Sequence, residues 1–251
     1  MKIAILPEIS ALFVLVFARV GTLVMLMPGI GERFIFSRAR LSLAFFVALM
    51  IVPMLRPTLS VPADASGVVA LLVGEVLIGL LIGLSARLIM ACLQTAGTLV
   101  AQSMGLGFAM TVDPTGGMQN PAIGNFLTML GITLILTTDL HHIAIAAIHE
   151  SYRLLPPGGA LNLTDAMALA VRSTARGFAL AVQISAPFLI FGMLFNLGLG
   201  VLARMMPQLQ VFFLAMPASI MGGMLVLLVV LGVMMSVFLD DLGAFLRQFT
   251  G

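Results

Sequence analysis

Asp139, His141, His142, His149 and Glu150 crowd a short stretch of an otherwise apolar chain, and they are the residue types from which metal hydrolases are built. Zinc proteases place two histidines one helical turn apart, as His-Glu-x-x-His, with the glutamate as base. Here Glu150 follows His149 with no histidine three residues on, and His141 and His149 are too far apart for one turn. Ser103, Asp113 and His141 likewise show no spacing that pairs a nucleophile with a base. The sequence therefore gives no catalytic residue, metal ligand or cofactor, and the histidine region reads as polar capping of helix ends.

The other chemistry lies in charges set within apolar sequence. Arg19 interrupts the run Ile9 to Met27, at an insertion cost of about 2.5 to 3.5 kcal/mol that its Leu, Val, Phe and Ile neighbours outweigh. It must face protein or water. Glu75 and Arg87 stand about 18 Å apart along one helix, so each needs a partner from elsewhere. Arg33 belongs to the most basic short connection, with Glu32, Arg38 and Arg40; Arg204, Pro207 and Gln208 separate the last two apolar stretches. These charges read as buried or as subunit contacts.

The segments that position them are membrane segments. With 61% hydrophobic and 9% charged residues and a mean hydropathy of +1.19, the chain cannot cover a soluble core. A net charge of +2, with dispersed arginines, gives no nucleic-acid signal, and the single Cys92 excludes an internal disulfide framework. Arg19 within the first apolar run, and no small-residue site after it, argue against a cleaved signal peptide. The expected fold is an all-α integral membrane domain over residues 1–251, with about six apolar segments. They run from Ile9 to Met27, Leu41 to Leu55, Val68 to Phe108 and Ala122 to Thr138, and end with a helical hairpin of Gly177 to Ala203 and Met205 to Leu239. Thr164-Asp165 offers a separate N-cap, and Pro187 and Pro217 are expected to kink or break the hairpin arms. Val68 to Phe108 would run roughly 60 Å as one helix, so a break, a steep tilt or a projection beyond the bilayer is expected. Along it Glu75, Gly79, Gly83, Arg87, Ala91 and Thr95 recur every fourth residue, a spacing that lets helix backbones approach closely. Counting positive charges, four against six across the two sides, leaves orientation open.

Between the third and fourth segments lies Gly105 to Gly124, with two prolines, five glycines and the single charge Asp113. Proline and glycine forbid a continuous helix, yet Phe108, Met110 and Met118 keep the stretch apolar. Irregular backbone at membrane depth is tolerated only inside protein or beside a water-filled cavity. The stretch therefore reads as a re-entrant loop lining or closing a pore. Its candidate gate residues are Gly105, Phe108, Met110, Asp113, Pro114, Gly116, Gly117, Met118 and Pro121. Methionine's flexible thioether suits an irregular seal, though it is also ordinary filler.

Ala18-Arg19 with Pro28 and Glu32-Arg33, Gly105-x-x-Phe108-Ala109 leading to Asp113-Pro114, Leu154-Leu155-Pro156, and Asn196-Leu-Gly-Leu-Gly200 with Arg204 and Pro207-Gln208-Leu209 together resemble the FliR family of flagellar type III export-apparatus subunits. Leu140 and Ala215-Met216 depart from the family pattern. The resemblance implies one copy assembled with FliP and FliQ, in contact with FlhB, as a gate for unfolded export substrates in the bacterial inner membrane at the flagellar basal body. It implies a FliP-like part over residues 1–176, a FliQ-like hairpin over 177–251, and the central loop as a plug. A virulence-injectisome counterpart is the alternative; a secondary transporter is a further one, but no inverted repeat of interrupted helices supports it.

Overall fold

A computed structural model describes residues 5–32, 34–55, 62, 64–106, 122–159, 163–206 and 211–249. Among them the chain is helical throughout: α1 (Ile5–Leu26), α2 (Ser37–Leu55), α3 (Ala65–Ser103), α4 (Ala122–Thr137), α5 (Leu140–Leu154), α6 (Leu163–Met205) and α7 (Val211–Arg247). Five helices are long and apolar enough to cross a membrane. The pair α4 and α5, bent by 75° at its break, makes up to six. The all-α membrane architecture expected from composition is what the chain forms.

Several boundaries differ from the sequence reading. The third helix is unbroken over 39 residues and stops at Ser103, short of Phe108. Likewise α6 begins at Leu163, which places Thr164 inside the helix, and runs through Arg172, Arg176 and Pro187 for 43 residues as one element. Pro217 also lies inside a continuous helix, α7. Proline removes one amide donor, but in lipid every neighbouring amide must stay bonded within the helix, so the remaining ladder outlasts a single lost bond.

Two compact units share these helices. One comprises residues 1–89, 135–175 and 242–251; the other comprises 90–134 and 176–241. In the first unit α1 packs on α2, with the Phe13 and Phe45 rings edge to face at 5.2 Å. It also lies close against α3 at the small-residue face: a Cβ at Gly79 would stand 2.8 Å from the Arg19 carbonyl oxygen, and one at Gly83 2.7 Å from Leu26 Cβ. In the second unit Arg176 meets Asp241 and Phe191 meets Gly222, so residue numbers rise on α6 as they fall on α7. The C-terminal pair is therefore an antiparallel hairpin.

Candidate functional site

The first unit is centred on a fully buried charge. Arg19 is 0% exposed and Glu75 1%. Arg19 Nε donates to Glu75 Oε2 at 2.7 Å and Nη2 to Oε1 at 3.0 Å, a bidentate fork that fixes both side chains. The other terminal nitrogen, Nη1, donates to the Ser151 carbonyl at 3.1 Å and the Leu155 carbonyl at 2.9 Å. Four of the five guanidinium hydrogens thus have acceptors. Ser151 lies in the last turn of α5 and Leu155 just beyond it, so Arg19 also caps the negative end of that helix. Tyr152 lies under the guanidinium at 4.2 Å and donates its hydroxyl to the Val16 carbonyl at 3.3 Å. One side chain from α1 therefore ties α3 and α5 together. The expectation that Arg19 faces protein holds, and Glu75 finds its partner within the same chain.

The second unit holds both ends of the central loop. Leaving α3, Gly105 adopts φ +79°, while Gly105 N–H bonds Gln102 O and Leu106 N–H bonds Ala101 O, each at 3.0 Å. This is a Schellman stop, in which glycine takes the left-handed position after the helix. Ser219 Oγ of α7 donates to the Met104 carbonyl at 3.0 Å, and Met104 itself is buried against Gly223, where a Cβ would collide with its side chain. Met104 is therefore interior packing. On the return side, Gly124 in the first turn of α4 sits directly on Gly97 of α3, backbone to backbone, beside the Gln94 side chain. Gly97 and Gly105 are about 12 Å apart along one helix, so the loop leaves α3 and comes back to it.

The remaining candidates are dispersed. Arg87 is half-buried and Arg204, in the last turn of α6, is exposed; neither has a hydrogen-bond or ion-pair partner among the described residues. Arg33, Phe108, Met110, Asp113, Pro114, Gly116, Gly117, Met118, Pro121, Pro207 and Gln208 lie outside the described residues. Sequence reasoning missed a further charge pair: Arg176 Nε donates to Asp241 Oδ1 at 2.8 Å and Oδ2 at 3.0 Å, clamping the hairpin. Only the antiparallel register of α6 and α7 gives Asp241 this partner. The capping role expected for the histidine region does not hold at Asp139, which precedes α5 in the left-handed region, φ 58°, and makes no side-chain cap bond.

Seven helices among the described residues, a buried cross-helix ion pair and apolar helices of membrane length make this a polytopic membrane protein. Its residues 10–245 match the model of the family described as bacterial export proteins, family 1. The flagellar biosynthetic protein FliR of Caulobacter vibrioides is 43% identical over 237 residues, which cover 94% of each chain. FliR of Bacillus subtilis is 31% identical, covering 88% of this chain and 86% of that one, and FliR of Escherichia coli K12 is 30% identical, covering 82% and 78%. The chain belongs to this FliR family of flagellar export proteins.

Proposed function

We propose that the chain is a core subunit of the flagellar type III protein export gate in the bacterial inner membrane, forming with FliP and FliQ, and beside FlhB, a pore for unfolded export substrates. Helix length is the observation that carries the assembly. The 43 residues of α6 run about 64 Å, against a hydrocarbon core of about 30 Å. Yet apolar side chains stand exposed at both ends of it, Met167 at 62% and Met205 at 77%. A bilayer covers one of these ends or the middle, not the whole length, so other subunits cover the rest. In the second unit, α6 and α7 supply the FliQ-like hairpin. Because α6 runs unbroken across residue 176, the proposed division between FliP-like and FliQ-like parts falls inside a helix.

In this reading Gly105 to Gly124 is the plug. Fastened to α3 at both ends, a loop of this kind can fill a lumen without drifting away from it. Glycine permits close backbone approach, and Phe108, Met110 and Met118 supply adaptable bulk. Deleting Thr111 to Gln119, or placing a charge by Gly117→Asp, is expected to let ions or small dyes leak through an assembled complex that still contains FliP and FliQ. Variants that assemble at parental levels and stay as tight as the parent would refute the plug.

A further inference from the structure

The break between α4 and α5 gathers three ligand-type side chains that the export reading leaves without a task. Asp139, His141 and His142 each offer one ligating atom, and these atoms lie within 4.8 Å of one another. His142 Nδ1 and Asp139 Oδ1 are 3.4 Å apart. That is long for a hydrogen bond, but it matches the roughly 3.3 Å between two ligands on a tetrahedral ion with bonds of about 2.0 to 2.1 Å. Successive side chains on a helix diverge by about 100°. The His141 and His142 rings nevertheless lie with centroids 4.1 Å apart, tilted by 39°, so both imidazoles turn to one side. Asp139, in its left-handed conformation, directs its carboxylate towards His142 and makes no side-chain bond to the first turn of α5. His141 Nδ1, finally, is shielded from water and has no hydrogen-bond partner among the described residues. A buried imidazole nitrogen without a partner, beside a second imidazole and a carboxylate, is a donor set lacking its acceptor.

We propose that Asp139, His141 and His142 form a binding site for a borderline divalent transition-metal ion of the zinc, nickel or cobalt type. Two imidazoles and one carboxylate suit such ions, and water completes the coordination. Asp139 and His142 are exposed, so no neighbouring side chain among the described residues blocks the ion's approach. Bringing the ligand atoms from within 4.8 Å of one another to about 3.3 Å falls to side-chain rotation, which exposed Asp139 and His142 allow. Bound there, the ion ties the residue at the break to the first turn of α5 and stiffens the bend.

The test uses the full chain purified with its partner subunits by a tag free of histidine, stripped with chelator and titrated with Co(II). One equivalent per chain, with visible ligand-field absorption that Zn(II) abolishes, is expected. His142→Ala and Asp139→Asn should each weaken binding at least about 10-fold. Asparagine retains tolerance of the left-handed conformation, and His142 is exposed, so both variants should keep the parental melting profile. His149→Ala, remote from the cluster, should bind as the parent does. No saturable Co(II) uptake, or equal affinity in the parent, His142→Ala and Asp139→Asn, would overturn the assignment.

Discussion

Removing the carboxylate of Glu75 leaves the fully buried Arg19 guanidinium without its counter-charge, and the size of that effect follows from the geometry. Breaking a buried ion pair by deleting one partner costs about 3 to 5 kcal/mol. At about 2 to 4 °C per kcal/mol for a chain of this size, Glu75→Leu is expected to lower the melting midpoint by about 6 to 20 °C. Arg19→Leu is expected to cost more, because Leu155 O at the end of α5 loses its charged donor as well, a further loss of about 1 to 3 kcal/mol. The double variant Arg19→Leu with Glu75→Leu strands no charge, and apolar replacement of a buried pair is often neutral. Only the lost helix cap should remain, so the double variant is expected to be more stable than either single one. The assay is recovery of the assembled complex after heating in one detergent, read by size-exclusion chromatography, with swimming of a complemented strain as the cellular counterpart. Singles within about 1 kcal/mol of the parent, or singles whose effects simply add in the double variant, would show that the fork contributes little and refute the reasoning.

Gly97→Val is expected to push α4 from α3 at Gly124, an overpacking loss of about 1 to 3 kcal/mol, whereas Gly198→Ala, whose Cβ would meet nothing, should be silent; the heated-complex assay compares them. Arg204→Ala should reduce export or partner retention more than Arg247→Ala, and Arg204→Lys separates planar pairing, which lysine fails to restore, from a headgroup contact, which it satisfies. Asp64 accepts bonds from Ser66 Oγ at 2.6 Å and Gly67 N–H at 2.9 Å, which hold its carboxyl below the usual aspartate value. A depressed folded value means that this contribution is complete above the unfolded value, near pH 4, and fades as pH falls below it. Protection of the amides at the start of α3, taken relative to their intrinsic exchange rate at each pH, should accordingly fall in acid in the parent, and already be low at neutral pH in Asp64→Ala.

Composition with its long apolar runs determined that this is a helical membrane protein, because uninterrupted apolar segments of about 20 residues satisfy their backbone in lipid as helices, whereas barrel strands are about 9 to 11 residues long. The fourth-residue spacing of Gly79 and Gly83 likewise announced a close helix contact, since a missing Cβ is a local property that survives folding. The motifs around Arg19, Asp113 and Arg204 were enough to point to the family. Partner identity was not legible. Nothing local connects Arg19 with Glu75, 56 residues away, or either of them with the end of α5. Periodicity describes a face and leaves open what the face meets. Similarly, Thr164-Asp165 and Pro187 looked like boundaries because capping and proline rules are local, and α6 overrode both. Asp139, His141 and His142 looked like loose polar residues for the same reason: only the bend between α4 and α5, with one aspartate in a left-handed conformation, turns three neighbours in sequence towards a common point.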